Sequence, residues 1–373
     1  MKRMIKILLL IPIIILLMSF SVRAQEIEDI EKELEDLRSS LSDEVLEDMK
    51  GLGVESYTDG LSESLSFSDV MRLITDQLSE NAASPMGVCA AVTAIILICA
   101  VLEVYRDSLY RTAMQEVMEA VSVTAITAAL IAPILSLIHS AVGVIEASAN
   151  MMLLYIPVLI SLLAFSGKLI SSAGYYGALM TASQSVSWLS SRLISPLLSL
   201  SLALSVSSSL TNRIRLKGFS TLLSRLIKWT LAFSMSIFSA VLTIKSFITN
   251  TYDSVSSRAV RFSLSSFIPV VGTAVSEAYK TLSGSVNMLR AGAGVFVIVA
   301  LMVTFLPITL KTILYLISVN LCKAVGEAVG ADTVADLLSS VSDVLTILIA
   351  VIVSVITVFL VSTALLVNAG GNA

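Results

Sequence analysis

Apolar residues run through this chain in long blocks that are interrupted by single charges more often than by turn residues. A helix that spans a bilayer needs about 20 mostly apolar residues, at 1.5 Å each across a hydrocarbon core of about 30 Å. After residue 85 the uncharged windows are 86–102, the stretch between Glu119 and Glu146, the stretch between Glu146 and Lys168, 169–191, 193–212, 229–244, 291–310 and 344–367. Pro133 should bend the second of them, and 169–191 is the weakest because it is uncharged but polar. The pattern predicts an all-α polytopic membrane protein with about eight transmembrane helices.

Before residue 85 the pattern differs. Lys2, Arg3 and Lys6 precede an apolar run from Ile7 to Met18, and Val22-Arg23-Ala24 offers small residues for cleavage, so 1–24 reads as a signal peptide. An uncleaved anchor helix is the alternative. Residues 25–84 read as an acidic extracytoplasmic segment, helical in two pieces. Ile27, Ile30, Leu34, Leu37 and Leu41 share one helix stripe, with acids on the other faces. About two heptads is too short for a stable coiled coil. The stripe therefore predicts a helix resting on its own protein, with a partner-binding helix as the alternative. Gly51 and Gly53 should end it, and Ser68 could cap a second helix carrying Val70, Met71, Leu73, Ile74 and Leu78. Residues 85–373 form the multi-span membrane domain.

Composition agrees with the pattern. The 373 residues are 56% hydrophobic and 14% charged, with a mean hydropathy of +0.90, whereas soluble domains carry about 25% charge. A soluble enzyme of this make-up would expose aggregating apolar patches. The net charge of −4 divides unevenly: four bases and no acid in 1–24, 17 acids against four bases in 25–84, and 11 acids against 16 bases after that. An acidic external segment repels anionic headgroups and nucleic acid, so the predicted partners are the lipid bilayer and other proteins, with no nucleic acid. With 25–84 outside, eight spans place ten cations inside, Lys323 among them, and six outside, as the positive-inside rule prefers. Two stretches fit no simple span. Residues 323–343 read as an interfacial helix, and 246–290 as a broken or interfacial region around Pro269, which lacks a backbone donor, and Gly272, which tolerates unusual dihedrals.

Candidate chemistry is thin. Neither HExxH nor GxSxG occurs, and no P-loop lysine follows a glycine-rich turn. His139 is the sole histidine, and it reads as a helix hydrogen-bonder. Cys89, Cys99 and Cys322 have no ligand spacing and read as small packing residues. No catalytic, cofactor-binding or metal-binding residue is assigned, and no cofactor is expected. Glu146 is the charge nearest to membrane depth. Serine is abundant, with 54 in the chain, 14 of them between Ser171 and Ser209, and Ser201, Ser205 and Ser209 recur every four residues. That spacing lets helices approach closely and hydrogen-bond across an interface; a polar pore lining is the alternative.

The stretch 261–294, RFSLSSFIPVVGTAVSEAYKTLSGSVNMLRAGAG, and above all SSFIPVVG followed by SEA, resembles the stage III sporulation protein AE family of endospore-forming bacteria. YIPVLISLLAFSG at 155–167 is similar to the same family. The resemblance runs over essentially the whole chain and is weakest before Ser84. It implies a non-enzymatic multi-pass protein of the mother-cell membrane around the forespore. Such a protein would act with other stage III sporulation membrane proteins of the same operon, in a channel or secretion-like complex that supports forespore development after engulfment. The family has no established catalytic residues to carry over. A stand-alone permease, with a substrate path through the serine-rich spans and the break near Pro269, is the alternative.

Overall fold

A computed structural model describes residues 32–54, 67–107, 112–165, 169–210, 218–241 and 272–368, and all of its regular structure is helical. The helices are α1 (32–39), α2 (Asp43–Gly51), α3 (Phe67–Asp107), α4 (Thr112–Phe165), α5 (Leu169–Leu189), α6 (Ser195–Leu210), α7 (218–241), α8 (Gly272–Ala328) and α9 (Asp332–Asn368).

The helical fold class holds, but the count of eight spans does not. Five of the described helical stretches are long and apolar enough to cross a membrane: Phe67–Val101, Ala120–Ala164, Tyr176–Ser209, Gly284–Ala328 and Asp332–Val367. Two pairs of windows are fused. The windows on either side of Glu146 form one helix, α4, which also contains Pro133 and Pro157. Glu146 is exposed on its flank, and a side-chain charge does not interrupt the backbone ladder. The windows on either side of Arg192 are likewise continuous, joined by a π-helical turn over Ser190–Ile194. A charge ends a hydropathy window without ending a helix.

Two helices overreach a bilayer. At 1.5 Å per residue, the 54 residues of α4 and the 57 of α8 extend about 81 and 86 Å, against about 40–45 Å for a bilayer with its headgroups.

The helices α8 and α9 form a long antiparallel hairpin in place of the expected interfacial helix at 323–343. Its turn is a Schellman cap: Gly330 takes φ +78°, Ala331 N–H donates to the Gly326 carbonyl at 2.9 Å, and Gly330 N–H donates to that of Glu327 at 3.2 Å. Ser342 Oγ then donates to Asn320 Oδ1 at 3.0 Å, and Lys323 Nζ to Ser339 Oγ at 3.3 Å. At the far end Gly294 lies under Val367. The two helices thus stay in register over their shared length.

Helix α3 packs against α8 in parallel, since Ser84 meets Tyr315 (hydroxyls 2.7 Å apart) and Thr93 meets Cys322. Nine residues of helix, about 14 Å, separate those two contacts. Lys323, next to Cys322, therefore lies near the level of Thr93, well short of the roughly 30 Å of a hydrocarbon core from Ser84. Helix α4 touches α3, α5, α6, α8 and α9 and forms the centre of the bundle, with Ile126, Ile134, Ile138, Tyr155 and Leu159 fully buried.

The acidic segment rests on its own protein. Leu34 and Leu37 of its stripe are buried and Leu41 half-buried, while Ile27 and Ile30 lie outside the described residues, as does the signal peptide. Ser42 caps α2, accepting from Val45 N–H at 3.4 Å, and Gly53 (φ +77°) ends it with a second Schellman cap. Met49, Leu52 and Val54 join the core, where α2 meets α3 and α8. Asp48 accepts from Gln77 Nε2 of α3 at 3.1 Å. Partial burial raises its carboxyl above the ordinary 3.8, Gln77 counters that, and Glu44, Glu80 and Glu47 push it further up.

Candidate functional site

The serine repeat becomes a hydrogen-bonded ladder on α6. Ser205 Oγ donates to the Ser201 carbonyl at 2.8 Å and Ser209 Oγ to that of Ser205 at 3.1 Å, so each hydroxyl is satisfied by its own helix. Ser220 on α7 bridges the ladder, with its Oγ 3.1 Å from Ser201 Oγ and 3.0 Å from Ser205 Oγ. Ser201 and Ser205 are buried. This is a polar seam between two helices, of the kind that small residues make possible in a membrane.

Beyond the seam lies a pocket of about 160 Å³, lined by Ser205, Ser208, Ser209 and Ser220 together with Asp332, Thr333, Asp336 and Ser340 from the first turns of α9. The sequence placed the aspartates in an interfacial helix; folding α9 back along α8 brings them to the serine seam. No group of three or more metal-ligating side chains occurs among the described residues. The other expected position divides: Gly272 is the first residue of α8, and Pro269 lies outside the described residues. His139 is exposed along α4, its Nδ1 2.9 Å from the Leu135 carbonyl.

A second polar cluster was hidden. Arg290 lies inside the long apolar stretch of α8, only 2% exposed, and its Nε and Nη1 have no hydrogen-bond partner among the described residues. The hydroxyl of Tyr155 is equally buried and unpartnered, and it feels the charge of Arg290. Isolated buried charges cost several kcal/mol, so ionisable groups at membrane depth are kept for function more often than for stability. By sequence Arg290 closes the irregular 246–290 stretch, as a charge at a span end. The run Ala291-Gly292-Ala293-Gly294 behind it was the available signal, because small residues draw neighbouring helices in over such a side chain.

Both halves of this cluster fall in the stretches that carry the family resemblance, and a profile of stage III sporulation protein AE matches residues 53–370. The chain belongs to the stage III sporulation protein AE family. Among its relatives is a protein of Bacillus subtilis (strain 168) named stage III sporulation protein AE, 24% identical over 233 residues, which are 62% of this chain and 58% of that protein. The match thus spans a little over half the length of that relative. No solved structure matches the chain. Family membership gives the chain a sporulation role, and its several apolar helices suit a multi-pass membrane protein.

Proposed function

We propose that the chain is a non-enzymatic component of a channel or secretion-like complex between mother cell and forespore, supporting forespore development after engulfment. It sits in the mother-cell membrane around the forespore, with 1–24 as signal peptide, 25–84 as a helical segment outside the cytoplasm and 85–373 as the membrane domain. Its partners are other stage III sporulation membrane proteins of the same operon. The observation that carries this reading is the family match over residues 53–370. The open apolar face of α3, where Leu97, Ile98 and Val101 are exposed, supports it by offering surface to neighbouring helices as well as to lipid. Co-purification of the tagged full-length chain from sporulating cells tests the proposal. Recovery with other stage III sporulation membrane proteins is expected, and solitary recovery from intact membranes overturns it.

The pocket where the serine seam meets Asp332 and Asp336 favours a second reading, a stand-alone permease with its path through the serine-rich spans and the stretch near Pro269. On that reading Pro269→Ala with Gly272→Ala abolishes uptake in proteoliposomes while assembly persists. Unchanged flux counts against it.

A further inference from the structure

Cys89 and Cys322 stand 233 positions apart in sequence, yet their sulfurs are 3.4 Å apart where α3 crosses α8. The surroundings hold both in place. Cys89 Sγ donates to the Ser318 carbonyl at 3.7 Å, Cys322 Sγ lies 3.5 Å from the Cys89 carbonyl, and Thr93 Oγ1 lies 3.5 Å from Cys322 Sγ. A disulfide needs about 2.05 Å between sulfurs, so the pair must close by roughly 1.4 Å, a distance that side-chain rotation covers where two helices already touch. Accessibility is graded: Cys322 is buried and Cys89 only partly so. Cys99 lies ten residues further along α3, about 15 Å away, and is a separate thiol.

We propose that Cys89 and Cys322 are a modification site, a dithiol that takes an external disulfide as oxidant and closes into a covalent staple between α3 and α8. The less buried partner reacts first. The Cys89 sulfur, as thiolate, attacks one sulfur of the oxidant; a mixed disulfide forms and one thiol leaves. The Cys322 sulfur then attacks Cys89 Sγ and expels the second thiol. Two protein thiols lose two electrons and two protons, and the oxidant's disulfide is reduced to two thiols. Ser84, five residues before Cys89, ends the acidic segment, so the pair lies at the end of α3's apolar run that this segment enters. In the reduced state α3 is held there by the Ser84–Tyr315 hydrogen bond and by thiol contacts; the oxidised state fixes it.

The full-length chain carrying Cys99→Ser, in detergent at neutral pH and treated with dithiodipyridine, tests this. Release of two thiopyridones per chain is expected, with no pyridyl group retained and a mass lower by two hydrogens. Adding Cys322→Ser should leave one pyridyl group on Cys89, since the resolving thiol is gone. Two retained pyridyl groups in the Cys99→Ser protein overturn the proposal, as does a stable single adduct on Cys89 or the release of less than one thiopyridone.

Discussion

Helix α3 and the α8–α9 hairpin are built from similar apolar material and behave differently. In the most apolar stretch of α8, 56% is buried within the chain, and in that of α9, 50%; in α3 the figure is 17%. Apolarity puts a helix in a bilayer but does not choose its neighbours, because lipid tails are as apolar as leucine. What separates the two regions is close approach and polar pairing. Gly294 lies hard against Val367, and a Cβ on Gly326 would stand 3.8 Å from the Ala335 backbone nitrogen, whereas nothing lies within 4 Å of where a Cβ on Gly87 of α3 would stand. The hairpin adds two side-chain hydrogen bonds close to its capped turn. Helix α3 meets α8 and α4 on one side and α2 near its start, and it turns Leu97, Ile98 and Val101 outward.

The largest expected effect separates the regions directly. Phe359 of α9 is fully buried, so Phe359→Ala removes packing on all sides and should cost roughly 3–5 kcal/mol. Ile98 of α3 is 61% exposed, and Ile98→Ala should change stability by less than about 0.5 kcal/mol. Thermal unfolding of both variants in detergent checks this, and equal losses would erase the distinction.

Next in size is a contrast of sign between two glycines. A methyl group at Gly294 collides with Val367 Cγ2, on a stiff β-branched side chain, so Gly294→Ala should destabilise by about 1–3 kcal/mol. Adding Val367→Ala should recover most of that loss. At Gly87 the same substitution meets open space and should stabilise α3 by up to about 1 kcal/mol through helix propensity. If both changes destabilise, α3 has a close neighbour at Gly87 in the assembled protein.

These positions also mark what the sequence could show. Uncharged windows located nearly every apolar helix, because burial and lipid both select against charge. They could not show that Glu146 and Arg192 sit within continuous helices, since helix continuity depends on the backbone and not on one side chain. The four-residue spacing puts Ser201, Ser205 and Ser209 on one stripe, but Ser220 and the aspartates of α9 come near it only through tertiary folding. Arg290 was legible as a charge and illegible as a buried one, because its buried neighbour Tyr155 comes from α4, more than a hundred positions away in sequence. Gly330 caps α8 in the middle of 323–343, a stretch whose pattern reads as one interfacial helix.

A smaller effect probes one of the contacts that hold α3, its hydrogen bond to α8. Tyr315→Phe removes the hydrogen bond to Ser84 and keeps the ring, so the cost should be about 0.5–1 kcal/mol. The Ser84 hydroxyl can turn back to its own helix and limit the loss. Hydrogen exchange should show the change in α3 and leave α9 as it was. Loss of protection along the whole hairpin would mean that this one hydrogen bond supports the entire bundle.

The smallest effect lies about two turns earlier on α3, where Asp48 of α2 accepts from Gln77. Burial and the acids Glu44, Glu80 and Glu47 hold the Asp48 carboxyl above 3.8, so the folded segment binds this proton more tightly than the unfolded one does. Where the native state holds more protons, stability falls as pH rises. The proton's contribution is complete below 3.8 and is lost as pH climbs through the raised value. Docking of α2 on α3 should therefore loosen slightly as pH rises from just below 4 toward neutrality. Asp48→Asn keeps an acceptor for Gln77 and removes its titration, so exchange protection of 43–54 should fall less with pH than in the parent protein and exceed it at neutral pH. Because the other acids of the segment repel one another in the same direction, the variant isolates the share of Asp48. Protection that rises with pH in the parent chain would reverse the sign and make the Asp48 carboxylate, rather than its acid, the form that holds α2 on α3.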